Sequence, residues 1–165
     1  MLLIAGAASA LAVMPAAASA AAAHGGYTTI DVPGATATNA ISVNDFGVVV
    51  GSYTDTHGVS HGFIDRRGAF TTVNDPQAGT ASGQGTSVNG LNNRGVLDGT
   101  YIDGNGVNHG FIDQRGVFTT VDDPQAGTAS GQGTVAFAIN NRGIIVGIYA
   151  DSHGTTHGFE LDNAR

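Results

Sequence analysis

The sequence predicts an all-β protein of three four-stranded antiparallel repeat units, arranged as a small or partial assembly resembling a β-propeller. Two observations support this fold class. Short segments of β composition alternate with turn signals rich in Asn, Asp and Gly, and long stretches of sequence recur at a fixed spacing. After Ala23 no segment has helical periodicity, and 165 residues are enough for one domain.

The first 23 residues are typical of a secretory signal peptide. Residues 2–14 carry no charge, and small residues at positions 18, 19 and 20 form an Ala-x-Ala cleavage site. Cleavage after Ala20 or after Ala23 fits this pattern. The apolar run is too short and too rich in alanine to favour a transmembrane anchor. No Lys or Arg precedes it, which leaves open whether the natural start lies further upstream. We expect a secreted protein, extracellular or periplasmic, with no membrane span in the mature chain.

Composition excludes several classes of function. Thirteen acidic residues against six Arg give a net charge of −7, which argues against nucleic acids and anionic membranes as partners. There is no Cys, so disulfides, thiolate zinc sites and Cys nucleophiles are excluded. No cofactor is expected.

Residues 24–165 form the predicted repeat domain, with repeats at about 27–69, 70–117 and 118–165. Asp75–Thr86 recurs unchanged as Asp123–Thr134, 48 residues later. The triplet His-Gly-Phe keeps the same spacing at 61–63, 109–111 and 157–159. The first copy is five residues shorter, in the loop after Pro33. Matches at this many positions in one register identify duplicated structural units.

Each repeat contains tight turns. Asn-x-x-Gly occurs at 44–47, 92–95 and 140–143, and Asp-x-x-Gly occurs at 55–58, 103–106 and 151–154. A further Asp-x-x-Gly occurs at 65–68 and 113–116. Asn or Asp at the first position accepts hydrogen bonds from its own turn, and Gly at the fourth can adopt positive φ to complete a bulged hairpin. We therefore predict positive φ at Gly47, Gly95 and Gly143.

The segments between these turns have β composition. Residues 48–53 and 144–149 have apolar residues at both odd and even positions, which is typical of a strand covered on both faces. Asp98 breaks the pattern in the middle repeat, where the other repeats have Val50 and Val146. Residues 70–73 and 118–121 alternate like half-buried strands.

Tight turns and the long repeated loop predict which strands share a sheet. Sheets are expected at about residues 37–73, 86–121 and 134–161, and the last lacks its fourth strand. The segment Tyr27–Val32 would fill that place, either in the same chain or in a second chain, as in the closure of a propeller. Three blades are few for a closed ring, which favours a homodimer or a fragment of a longer array.

These motifs resemble one known family. The pattern FTTVD…AINNRGIIVGIYADSHGTTHGF is similar to the extracellular repeats called HAF, named for a His-x-Phe triplet that is His-Gly-Phe here. The resemblance covers nearly all of residues 27–161. It implies export and a propeller-like β architecture, and it supplies no catalytic residues.

The repeated histidines His61, His109 and His157 are the sharpest candidates for a ligand site. Three imidazoles that converge on one point can hold zinc, so a shared metal site is one interpretation. In the other, each His packs beside the Phe of its own triplet and forms local hydrogen bonds. Ser82 and Ser130 in the identical loops are further candidate contacts, although Gly-Thr-Ala-Ser-Gly is not a nucleophile elbow.

Two functional classes remain open. Identical loops suit repeated contacts, which favours a binding or interaction module for a polysaccharide or protein outside the cell. An extracytoplasmic hydrolase is the alternative, because catalytic residues can lie far apart in sequence. No catalytic constellation is visible. A calcium site of the EF-hand type lacks the required Asp/Asn/Gly spacing and distal Glu.

Overall fold

The fold is described by a computed structural model that covers residues 26–162, and it is all-β as predicted. The predicted signal segment, residues 1–23, lies outside the described residues. Within residues 26–162 no helix has the length and apolar character needed to cross a membrane. The eleven strands are β1 (Ala37–Val43), β2 (Val49–Thr54), β3 (Ser60–Arg66), β4 (Ala69–Val73), β5 (Gly85–Leu91), β6 (Val96–Ile102), β7 (Asn108–Gln114), β8 (Val117–Val121), β9 (Gly133–Ile139), β10 (Ile144–Ala150) and β11 (Thr156–Asp162).

The eleven strands belong to one mixed sheet. Its main path runs β1-β2-β3-β5-β6-β7-β9-β10-β11, with β4 on β3 and β8 on β7. Neighbours joined by tight turns are antiparallel, whereas two single parallel pairs, Ser60 with Gly85 and Asn108 with Gly133, join one group of strands to the next. The strands thus lie within one residue of the expected ranges, but they form one joined sheet and not three separate ones. That sheet is open in the described residues, with β1 and β11 at its ends.

The turns of the Asn-x-x-Gly motif have the predicted geometry. Gly47, Gly95 and Gly143 have φ of 74°, 80° and 94°, which confirms the expected positive values. The amide of Gly47 donates to the carbonyl of Asn44 at 3.0 Å. The Oδ1 atom of Asn44 also accepts the amides of Phe46 and Val48, both at 3.1 Å. The Asn side chain therefore organises the turn, as residues of this type do at first turn positions.

The apolar core lies between successive groups of strands. Val50 of β2 is fully buried against Val88 and Leu91 of β5. A second cluster joins Ile112 of β7 to Ile145 of β10. Burial of both faces, predicted for β2 and β10 alike, applies to β2 alone, because Val146 of β10 is 44% exposed. Val146 occupies the position of Val50, but no strand packs over it in the described residues.

The N-terminal segment does not form the predicted strand along β11 of its own chain. Residues 28–32 belong to no strand, and Ile30 and Val32 pack instead on Tyr53 and Phe63 at the β1 end of the sheet. The amide of Val32 donates to Thr38 Oγ1 at 3.1 Å. This contact anchors the start of the shortened first loop.

Equivalent turns of successive repeats hydrogen-bond to one another. The amide of Asp45 donates to Asn93 Oδ1 at 3.2 Å, and the amide of Asn93 donates to Asn141 Oδ1 at 2.8 Å. Asn93 also donates through Nδ2 to Asp45 Oδ2 at 2.6 Å. These bonds form a turn ladder, Asp45–Asn93–Asn141, that links the three repeats through the turns after their first strands.

Candidate functional site

Each repeated histidine lies in a cluster with a tyrosine and an aspartate. The antiparallel pairing of β2 with β3 places Tyr53 opposite His61. Their rings stack with centroids 5.0 Å apart and planes inclined by 25°. The corresponding pairs Tyr101–His109 and Tyr149–His157 have centroid distances of 4.8 and 4.9 Å. The histidine of each repeat thus stacks on a tyrosine of the neighbouring strand, a contact that the sequence did not indicate.

The aspartate of each cluster begins the hairpin turn. Asp55 Oδ1 accepts the amides of His57 and Val59 at 2.8 and 2.9 Å, and Oδ2 lies 3.3 Å from His61 Nε2. The Val59 amide is the main cause that lowers the pKa of Asp55 to about 2, against the opposing effect of desolvation. The pKa values of Asp103 and Asp151 are lowered for the same main reason, by the amides of Val107 and Thr155. These carboxylates are ionised at neutral pH.

The other ring nitrogen of the histidine has a partner in two of the three clusters. His61 Nδ1 lies 3.0 Å from Asn74 Oδ1, and His109 Nδ1 lies 2.8 Å from Asp122 Oδ2. Among residues 26–162 the Nδ1 atom of His157 has no hydrogen-bond partner. Its side chain is 42% exposed, whereas those of His61 and His109 are 22% exposed.

The structure does not bring the three histidines together. Each lies on a separate hairpin with its own Tyr and Asp, so they do not form the shared zinc site considered from the sequence. Over the described part of the chain, no group of three or more His, Cys, Asp or Glu side chains is placed to hold a metal ion.

Ser82 and Ser130 lie in exposed loops, where they pack against hairpin turns. A Cβ atom placed on Gly58 would overlap Ser82 Oγ, and one placed on Gly106 would approach Ser130 Oγ to 2.6 Å. The residue after each serine donates its amide to the carbonyl of the same glycine. These bonds join Gly83 to Gly58 and Gly131 to Gly106, both at 2.9 Å. Neither serine hydrogen-bonds to a histidine within residues 26–162. The two serines therefore lie beside the turns to which the backbones of their loops are bonded.

The long loops connect one hairpin to the next. The carbonyl of Gln84 accepts the amide of Ser60 at 2.8 Å, and Gln84 Nε2 donates to the carbonyl of Gly104 at 3.2 Å. Asp75 at the start of this loop is buried, and its Oδ2 atom has no hydrogen-bond partner in the described chain. Desolvation is the main cause that raises the pKa of Asp75. It lines a small cavity of about 90 Å³ beside His61.

A cavity that sequence reasoning missed lies where the first strands of the repeats approach one another. It has a volume of about 350 Å³ and is lined by three residues at equivalent positions, Ile41, Asn89 and Phe137. Its remaining lining residues are Ser60, Gly85, Thr86, Ser87, Thr100, Ile102, Asn108 and Val135. The sequence does contain one signal of this cavity: the three repeats differ at these equivalent positions, whereas their turns are alike.

The lining of this cavity combines exposed apolar groups with amides and hydroxyls. Phe137 is 48% exposed and Ile41 is 46% exposed. Asn89 is held by its Nδ2 atom, which donates to the carbonyl of Ala136 at 2.7 Å, and by its Oδ1 atom, which accepts from Ser87 Oγ at 2.9 Å. No lining residue is charged, so the cavity suits a neutral ligand.

Comparison with known proteins gave no relative. A scan of protein-family models, a search of curated proteins and a search of solved structures each found no match to this chain.

Proposed function

We propose that this chain is an exported binding module for a neutral polysaccharide, built as a propeller-like array of repeat units. The ligand occupies the cavity at Ile41, Asn89 and Phe137. The alanine-rich residues 1–23 support export, because they combine an uncharged apolar run with an Ala-x-Ala site.

The packing of the strands supports the propeller-like arrangement. Antiparallel groups of strands stack through apolar clusters, and β5, the first strand of its group, contacts both β1 and β9. In propellers the first strands of the blades also approach a common centre, where ligands bind. The similarity in motif to the HAF repeats agrees with this arrangement.

The observation that carries the proposal is the uncharged lining of the cavity. Pockets that recognise small ligands combine apolar walls with a few oriented polar groups. A sugar ring offers an apolar face that can pack on Phe137, and it offers hydroxyl groups that can bond to Ser87, Thr100 and Asn108. A charged ligand would lose its hydration here without an opposite charge to compensate.

Titration of the purified protein with a panel of neutral and acidic oligosaccharides tests this function. We expect a neutral oligosaccharide to bind, Phe137→Ala to weaken binding at least about tenfold, and Ile41→Ala to weaken it less. Val117→Ala is the matched control, because Val117 is 67% exposed and lies outside the cavity. Binding of no neutral glycan, or equal binding by Phe137→Ala, contradicts the proposal. Release of new reducing ends would indicate the hydrolase instead.

A further inference from the structure

In the described residues, the third Tyr–His–Asp cluster lacks two contacts that the first two clusters have. In the first two clusters the tyrosine hydroxyl also contacts a threonine of the fourth strand: Tyr53 lies 3.1 Å from Thr72 Oγ1, and Tyr101 lies 3.4 Å from Thr120 Oγ1. In the same two clusters the histidine Nδ1 meets Asn74 or Asp122, the residue that follows the fourth strand. Neither contact exists for Tyr149 and His157 in the described residues, because β11 pairs with β10 alone.

A segment near the N-terminus has the sequence of the missing strand. Residues 28–31 read Thr-Thr-Ile-Asp, and the equivalent segments read Thr-Thr-Val-Asn at 71–74 and Thr-Thr-Val-Asp at 119–122. A repeated contact fixes this alignment. The amide of Val32 donates to Thr38 Oγ1, as the amide of Asp75 donates to Thr86 Oγ1 at 3.0 Å. Thr29 thus corresponds to Thr72, and Asp31 to Asn74. Both Thr29 and Asp31 are exposed.

The contact between the first and second repeats has its two sides exposed at the two edges of the sheet, β1 and β11. Val50 is fully buried against Leu91 where the first and second repeats meet. The counterpart of Val50 in the third repeat is Val146, which is 44% exposed at the β11 end. The counterpart of Leu91 in the first repeat is Val43, which is 61% exposed at the β1 end. The exposed apolar residue at the β11 end therefore matches the one at the β1 end, as Val50 matches Leu91 within the chain.

We propose that two copies of this chain associate head to tail and complete each other's third cluster. Residues 28–31 of each copy pair along β11 of the other, where Thr29 meets the hydroxyl of Tyr149 and Asp31 meets Nδ1 of His157. The same association places Val43 of one copy over Val146 of the other. The register follows that of β3 with β4, in which Ile64 lies opposite Thr71, so Glu160 lies opposite Thr28 of the other copy.

A second copy fits this surface better than the chain's own N-terminus. Ile30 and Val32 are held on Tyr53 and Phe63, at the opposite end of the sheet from β11. A head-to-tail contact either continues into a filament or closes on itself. Two copies present six repeat units, which lies in the range of about four to eight blades found in closed propellers. The pair therefore closes, and each copy both gives and receives one strand.

Cross-linking identifies the strand pair, because the natural sequence has no Cys. Thr28→Cys and Glu160→Cys are made in separate chains, mixed and oxidised. We expect a covalent dimer on a denaturing gel from the mixture. Ile64→Cys with Thr71→Cys in one chain is the matched control, since these residues pair within the chain. If the control cross-links and the mixture yields no dimer, the proposal is wrong. The double variant Thr28→Cys with Glu160→Cys must also give mostly dimer; an internal cross-link would show closure within one chain.

Light scattering over a dilution series tests the completed cluster. We expect a dimer for the natural chain, and at least about tenfold weaker dimerisation for Asp31→Ala, from loss of a bond to a polar partner. Asp122→Ala is the control, because Asp122 bonds His109 within its own chain. It should lower the melting temperature and leave dimerisation unchanged. A monomer at all concentrations, or equal dimerisation by Asp31→Ala, would overturn the proposal.

Discussion

Gly90 and Asp98 lie opposite each other across β5 and β6, and the glycine leaves the space that the carboxylate occupies. A Cβ atom on Gly90 would overlap Asp98 Oδ1. The equivalent pairs are Ser42 with Val50 and Ala138 with Val146. Asp98 is fully buried, and neither of its carboxylate oxygens has a hydrogen-bond partner in the described chain. The second repeat has therefore replaced an apolar contact by a polar group and a compensating glycine.

The first prediction concerns stability against pH. Desolvation is the main cause that raises the pKa of Asp98 from 3.8 to about 7, so the folded chain binds this proton more tightly than the unfolded chain. The contribution of Asp98 to stability is intact below pH 3.8, falls as pH rises toward 7 and is constant above that. The loss is on the order of 4 kcal/mol. We expect Asp98→Val to remove this slope.

Urea unfolding of the parent and of Asp98→Val at acid and neutral pH measures this effect. Other carboxylates such as Asp55 contribute equally to both proteins, so the difference between the two isolates Asp98. The free energy of unfolding of the variant should increase relative to that of the parent as pH rises, because valine has no carboxyl group to ionise. Val50 and Val146 show that valine suits this position in the other repeats. A difference in stability that is independent of pH would refute the assignment.

The second prediction is coupling between Gly90 and Asp98. Gly90→Ala should cost about 1–3 kcal/mol of unfolding free energy, because the new methyl group overlaps the carboxylate. In the Asp98→Val background the cost should be smaller by at least about 1 kcal/mol, since Ala138 and Val146 form the same pair in the third repeat. Some cost remains, because the methyl group would also lie 3.2 Å from the amide nitrogen of Ile139. Additive effects in a double-mutant cycle would show that the two residues do not share this space.

The third prediction tests the turn conformation. Gly95 has φ of 80° and open space where a Cβ atom would lie, so only backbone strain opposes a Cβ atom there. Gly95→Val should lower the free energy of unfolding by about 1–2 kcal/mol, because a β-branched residue is forced into the left-handed region. Gly104→Val is the control, since Gly104 is equally open but has no positive φ. Equal losses in both variants would mean that φ is not the cause.

The fourth prediction concerns export. In a secreting host the mature protein should begin at Ala21 or at His24, since the small residues before these positions form the cleavage sites. Intact mass of the secreted protein decides between them. A chain that retains residues 1–23 and stays inside the cell would contradict the prediction.

Local signals in the sequence were sufficient to predict the eleven strands and their turns, although not that residues 28–32 lie outside any strand. The Asn-x-x-Gly motif carries its own hydrogen bonds, as Asn44 shows, so the turn is specified by four residues. The sequence also singled out Asp98 as a break in an apolar pattern. It could not show that Gly90 makes room for that side chain, because the pairing depends on a register shift between Val88 and Gly90.

The candidate sites depended on contacts between strands and were harder to predict. The sequence left open whether the histidines share a metal or pack locally, and it did not indicate that register stacks each one on a tyrosine of the adjacent strand, as in Tyr53–His61. The cavity at Ile41, Asn89 and Phe137 gathers residues from three repeats, and nothing in any single repeat indicates it. Repetition draws attention to identical residues, whereas this cavity is lined by residues that differ.

The loops at 75–86 and 123–134 have a consequence for how such a chain can change in length. Each loop leaves one hairpin, bonds to its turn and reaches the next hairpin, as Gln84 does between Ser60 and Gly104. Every 48-residue segment therefore brings its own joint together with its strands. A recombination event between two copies of the gene segment would insert or delete a complete unit, and the new junction would reproduce contacts that already exist at the old ones. Under this arrangement the number of units is free to vary in evolution without the invention of a new interface.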